Sequence, residues 1–184
     1  MRLETERLVL RKPQPDDCDA YAEIFGDAEV MRFIGAGKTV APEDVPRSIE
    51  RMLGHWDRHG VGLFSVVRKE DEQLVGRTGY LLWDSKRWVS AIHEELEGEL
   101  ELEIGWTFAR AFWNQGYATE AATACRDLAF GELERERVIS LIARENVASI
   151  RVAEKIGETL ARKDVRSPVL AFPVDVYSLS RPAL

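Results

Sequence analysis

The sequence predicts a mixed α/β (α+β) fold in which about four helices cover a largely antiparallel central sheet of about seven strands. Three observations carry this reading. Apolar runs of strand length and period recur along the 184 residues, interleaved with stretches whose apolar side chains repeat at helical spacing. Two such runs, Leu63–Arg68 and Gln73–Trp83, are separated only by the charged tetrad Lys69-Glu70-Asp71-Glu72, as in a hairpin. The resulting order is strand, two helices, three strands, helix, strand, helix, two strands, a layered arrangement with helices over the sheet. No repeat or second boundary interrupts it, so residues 1–184 read as a single domain.

Each element has a local cause. Arg7–Lys12 alternates apolar and basic side chains, as a half-buried strand does, and Pro13 and Pro15 end it. Asp16 is placed to cap a first helix whose apolar positions are Tyr21, Ile24, Phe25 and Ala28. After the turn Gly35-Ala36-Gly37, Pro42 opens a second helix striped by Val45, Ile49, Met52, Leu53 and Trp56, with Gly60 and Gly62 beyond it. Residues 84–98 are a polar connection. Glu99–Phe108 is a strand that opens in strict alternation. Asn114-Gln115-Gly116 is a turn into a helix over Tyr117–Phe130, with Ala118, Ala121, Ala122, Cys125 and Ala129 on one face. Val138–Ala143 is nearly all apolar, as central strands are. A helix over Asn146–Ile156 stops at Gly157, and strands are expected at Thr159–Val165 and Phe172–Leu179.

Charge excludes one class of partner. Against 32 acidic residues stand 25 Lys and Arg, a formal net charge of −7, with no basic face for neutralising phosphates, so nucleic acid is not expected. No apolar run approaches the ~20 residues that span a bilayer, and no signal peptide opens the chain, so neither a membrane nor secretion is expected. Cys18 and Cys125 are far apart and lack metal spacing; they read as reduced thiols of a cytoplasmic protein. His55 and His59, four apart on a helix, have ligand spacing but no third ligand nearby, so no metal is expected. Trp83, Trp88 and Trp106 read either as core or as the wall of a pocket.

The chemistry concentrates between Glu103 and Ala121. A strand there runs through a loop into a helix that opens on glycine and small residues. Free N–H groups at a helix start, reinforced by the dipole, suit a pyrophosphate, and Gly116 and Ala118 let it approach the backbone. Glu120 in the first turn is a dipole-complementing acid. The wider pattern resembles the GNAT superfamily of N-acetyltransferases, and within it the RimJ/RimL-type branch that acetylates ribosomal-protein N-termini. The similarity covers nearly the whole chain. Its landmarks are Thr5-Glu6-Arg7-Leu8-Val9-Leu10-Arg11, Asp27–Phe33, Leu74-Val75-Gly76, Gly116-Tyr117-Ala118-Thr119-Glu120-Ala121 and Arg144–Gly157. The family's R/Q-x-x-G-x-G/A motif is met at Gly116 and Ala118, whereas its first position is Trp113.

The resemblance implies the GNAT acyl-CoA N-acyltransferase fold and acetyl-coenzyme A (acetyl-CoA) as co-substrate. It implies that backbone N–H groups from Trp113, Asn114, Gln115, Gly116, Tyr117, Ala118 and Thr119 hold the pyrophosphate. It also implies that the pantetheine pairs with Trp106, Thr107 and Phe108, at a splayed strand whose free N–H faces the thioester, and that Asn146 and Ser149 contact the cofactor. The acceptor amine must shed a proton, and Glu103 and Glu101, of one parity on the strand, are the candidate bases. The tyrosine that many members use as an acid is missing from the helix Asn146–Ile156; Ser149 is the candidate donor to the leaving sulfur. The expected activity is acetyl transfer to a primary amine, with a non-catalytic acyl-CoA sensor as the alternative. Glu97, Glu99, Glu101 and Glu103 alternate with Leu100, Leu102 and Ile104, predicting one acidic strand face, extended by Glu94 and Glu95. Such a face would either recruit a cationic acceptor, that is a protein N-terminus, a polyamine or an aminoglycoside, or be a solvated edge strand kept soluble by its charge. A homodimer is left open.

Overall fold

The structure is a computed structural model that describes residues 1–93, 96 and 98–182. Among these, eight strands form one sheet in the order β1-β2-β3-β4-β5-β6-β8-β7. The strands are β1 (Arg2–Glu4), β2 (Leu8–Arg11), β3 (Leu63–Arg68), β4 (Leu74–Asp84), β5 (Leu100–Phe108), β6 (Arg137–Ile142), β7 (Thr159–Val165) and β8 (Val174–Ser180). Five α-helices accompany them: α1 (Cys18–Gly26), α2 (Ala28–Met31), α3 (Val45–His59), α4 (Tyr117–Phe130) and α5 (Val147–Lys155). Every neighbouring pair is antiparallel except β5 and β6.

The expected hairpin is present, with Arg68 and Gln73 closing the turn and Glu72 in the left-handed region at φ 57°. The differences from expectation have local reasons. β1 has three residues, too few for a periodicity to register. Asp16 does not cap the first helix, because a 3-10 turn over Pro15–Asp17 precedes it. Asp17 instead turns inward, taking a bidentate pair from Arg11 (2.6 and 2.9 Å) and the Ser65 hydroxyl (2.7 Å). Ala28 belongs to the short α2, because Asp27 breaks the helix and caps the next one through Glu29 N–H. Phe172 lies ahead of β8 rather than within it.

Two apolar layers sandwich the sheet. On one face Tyr21, Phe25, Met31, Ile49 and Met52, from α1, α2 and α3, pack over Leu63. On the other, Ala121, Ala122, Cys125 and Ala129 of α4 pack on Phe64, Tyr80, Leu102 and Ile104. Small side chains along α4 let it lie close to the strands, and burial of these large partners supplies most of the fold's driving force. Trp88 is buried in a third cluster with Ile139, Val165, Val174 and Val176, which settles it as core.

Candidate active site

The site forms where β5 and β6 part. Their ladder consists of one parallel pair, Glu103 with Ile139. Ser140 Oγ then donates to the Ile104 carbonyl at 2.9 Å, a side chain standing in for the next rung. By strand alternation Trp106 and Phe108, like Ile104, turn their backbone toward β6, and beyond Ile104 they face the gap. Two cavities, of about 270 and 500 Å³, open on either side of it and share Trp106, Thr107, Asn146 and Ser149 in their walls.

The larger cavity is lined by the loop ahead of α4 and by α5. Asn114 and Gly116 have left-handed backbones (φ 61° and 83°), so the chain coils tightly before entering the helix. Trp113 N–H bonds to Arg110, and Glu120 N–H to Gly116; between them the N–H groups of residues 114–119 have no acceptor among the described residues. A run of free donors at a helix start fits a pyrophosphate. The loop is anchored from a distance: Glu120 accepts from Thr5 Oγ1 (2.6 Å), Arg7 N–H (2.9 Å) and Arg7 Nε (2.7 Å). Arg7 also donates to the Gln115 carbonyl and lies over the Tyr117 ring. Glu120 is therefore more than a dipole-complementing acid. It joins the Thr5–Arg11 and Gly116–Ala121 landmarks physically. Trp113 Nε1 donates to the Phe108 carbonyl at 2.8 Å, fastening the loop back to β5 and occupying an oxygen expected to pair with the pantetheine. Across the gap, Asn146 caps α5 through Ser149 N–H (3.2 Å), and Trp106 Nε1 reaches Ser149 Oγ at 3.3 Å.

The smaller cavity holds Glu103, 8% exposed. Trp83 Nε1 donates to its Oε2 at 2.5 Å. Burial pushes its carboxyl up to about 7, against the opposing pull of the Trp83 indole, the Leu141 N–H and the Arg77 charge. Glu101 shares the face but is only half-buried and is paired with Arg137 at 2.9 Å. The predicted acidic face is thus corrected for the residues described. Glu103 is buried, Glu101 is neutralised and Glu99 alone stands exposed, while Glu94, Glu95 and Glu97 lie outside the described residues. His55 is structural. Its Nδ1 pairs with the Val61 carbonyl, and its Nε2 accepts from Leu82 N–H. Among the described residues no three His, Cys, Asp or Glu gather as a metal site, and no helix is long and apolar enough to cross a membrane.

Residues 7–159 match the family model for the acetyltransferase (GNAT) domain. The chain belongs to the GNAT acetyltransferase family. The GNAT relatives include the Bacillus subtilis (strain 168) "uncharacterized N-acetyltransferase YnaD", 30% identical over 85% of this chain and 82% of its own. The protein YkkB of the same strain is 32% identical over 85% and 84%. A GNAT-family acetyltransferase structure from Bacillus anthracis superposes with TM-score 0.78 at 27% identity, over 98% of this chain and 99% of that one. RimL, a ribosomal alpha-N-protein acetyltransferase solved in complex with coenzyme A, shares the fold at 13% identity and TM-score 0.76, over 98% of each chain. As a GNAT enzyme the protein is an acetyltransferase.

Two residues that bear on the candidate site, one anchoring its loop and one close to Glu103, escaped sequence reasoning. Arg7 was legible as a strand residue and as part of the Thr5–Arg11 landmark, but not as an anchor of the loop, since that contact spans more than a hundred positions. Glu158, 2% exposed, has neither carboxyl oxygen bonded among the described residues and lies beside Ser140; burial, opposed by the Ser140 hydroxyl and reinforced by the Glu103 charge, pushes it up to about 7. Nothing in its sequence context, just past a helix-ending glycine, marks it as buried.

Proposed function

We propose that this acetyltransferase moves the acetyl group of acetyl-CoA onto a primary amine by direct attack, with Glu103 as the base. The observation that carries the reading is the seat of Glu103: a buried carboxylate, bonded by Trp83, in the wall of the smaller cavity, which shares Trp106, Thr107, Asn146 and Ser149 with the larger one. Near pH 7 such a group is about half ionised, which suits a base that must both accept a proton and give it up. The free N–H groups of residues 114–119, with Asn146 and Ser149 opposite, would hold the coenzyme's pyrophosphate and pantetheine arm. Bound there, the coenzyme supplies the activated acetyl group. The amine would enter from the smaller cavity and shed its proton to Glu103. Backbone N–H groups of β5 beyond Ile104 face the gap and would stabilise developing negative charge, an effect of ~3 kcal/mol for a typical donor. Ser149 Oγ, which accepts from Trp106, keeps its own proton free to donate to the leaving sulfur. Cys18 and Cys125 are unpaired thiols, as suits a cytoplasmic enzyme.

The test is thiol release from acetyl-CoA with a panel of amines. Glu103→Gln is expected to lower turnover by ~10²-fold or more while the melting-temperature rise on adding acetyl-CoA persists. Glu101→Gln, which removes a half-exposed ion pair, is expected to cost far less. Unchanged turnover in Glu103→Gln would show that Glu103 is not the base.

A further inference from the structure

The smaller cavity carries charges that acetyl transfer alone does not require. Among the described residues lining it, Glu103 is the one acid, whereas Arg51 and Arg77 are both present. Neither arginine has a carboxylate partner within salt-bridge reach among the described residues. Arg77 is the more confined. It extends from β4 opposite Thr107, on the sheet face that also bears Gly105 and Glu103. Its guanidinium sits over the Phe25 ring, 4.8 Å from the centroid, and among the described residues its Nη1 finds only the Met52 sulfur at 3.8 Å. A thioether is a weak acceptor, so a five-donor fork is held in place by apolar neighbours, and no described residue puts an anion within salt-bridge reach of it. Between Arg77 and Glu103 the floor is Gly105, where an added Cβ would meet nothing nearer than Glu103 Oε1 at 3.9 Å. The surrounding wall, from Phe25, Met31, Phe33, Leu81 and Phe172, is apolar.

We propose that the acceptor is a small amine that also bears a carboxylate on an apolar body, an apolar amino acid being the simplest case. Its amine meets Glu103 and its carboxylate is taken by the Arg77 fork. The inference rests on the acetyltransferase reading given above. In the step, the nitrogen–carbon bond to the acetyl carbonyl forms as the carbon–sulfur bond breaks. Sulfur keeps the electron pair, and the amine's proton passes to Glu103. A polyamine or aminoglycoside would instead bring several cations against Arg51 and Arg77, with Glu103 the one acid among the described lining residues, a repulsive arrangement.

The experiment compares matched acceptors at saturating acetyl-CoA, with kcat/KM referred to the free-amine concentration. The pairs are phenylalanine with phenylalaninamide and 6-aminohexanoate with hexylamine; spermidine and a peptide N-terminus complete the set. A charged hydrogen-bonded pair predicts that the acid outperforms its neutral partner by about 10-fold or more in at least one pair. Arg77→Met, which keeps apolar contact with Phe25 and Met52, should erase most of that ratio, chiefly through KM. Arg77→Lys, which keeps the charge and loses the fork, should retain part of it, and it decides the matter if the Met variant does not fold. Neutral amines preferred in both pairs, or an acid-to-amide ratio that neither variant changes, would overturn the assignment. So would acetylation of spermidine or the peptide with none of the acids, and the acetyltransferase reading would then still stand. Failure of every amine would overturn that reading too.

Discussion

Replacing Trp83 by Phe isolates what the indole does for Glu103. The Trp83 Nε1–H donates to Oε2 at 2.5 Å and favours the charged carboxylate, while burial favours the neutral acid; the balance lies at about 7. A hydrogen bond to a charged group contributes about 1.5–3 kcal/mol, and one pKa unit corresponds to about 1.4 kcal/mol. Losing the donor should therefore raise the Glu103 carboxyl by about one to two units. At pH 7 the ionised fraction would fall from about one half to between a tenth and a hundredth, lowering kcat/KM by about 5- to 50-fold. The loss should be recovered as the pH rises past the displaced value, up to where another group intervenes. The assay is a pH series of kcat/KM for the wild type and Trp83→Phe under the same acceptor, with melting temperatures recorded in parallel. Trp83 is 4% exposed, so some destabilisation from the smaller ring is expected; it does not move a pH limb. An acidic limb that stays near pH 7, or shifts downward, would refute the reasoning.

Two further outcomes follow from the structure. Gly116 caps α4 at φ 83°, and a Cβ there would stand 3.4 Å from Arg7 Nη2, so Gly116→Val should strain the loop and abolish the thermal shift on adding acetyl-CoA; a surviving shift would remove the pyrophosphate from this loop. Burial pushes the Glu158 carboxyl from its ordinary 4.5 up to about 7, so between those values the folded protein holds its proton while the unfolded chain has released it. Stability should fall as pH rises between those values, by about 3 kcal/mol in total from this group, and level off above. Glu158→Gln should flatten that decline and melt higher at pH 8, leaving the similar slope owed to Glu103; an unchanged slope in thermal melts from pH 5 to 8 would count against it.

The parts legible in the sequence were those that local pattern dictates. Leu63–Arg68, Tyr117–Phe130 and Thr159–Val165 coincide with β3, α4 and β7, because period and capping signals act within a few residues. Glu103 and Gly116 were legible for a related reason, since a strand carboxylate and a glycine before a helix carry their chemistry locally. What was not legible depends on distant partners. Glu103 was predicted on a solvated acidic face, yet a strand's alternation assigns a face and not its cover, and here Trp83 closes over it. Arg77 gave no signal at all. Its meaning comes from Phe25 and Met52, on two helices, and from a carboxylate that no described residue supplies.

The parting of β5 from β6 also bears on how the chain assembles. All five strands on one side of the gap come from residues 2–108, and all three on the other from residues 137–180. No strand of either group is interleaved in sequence with the other, and a single register pair joins them. Strand pairing within the first group can thus be completed before the second has been synthesised, in the order in which the ribosome releases them. The seam is crossed by one stretch of chain, α4 and the turn after it. Division there, between Phe130 and Arg137, would yield two pieces that each keep their own strand ladder intact. Their reunion would restore the candidate cleft, because that cleft is the seam itself.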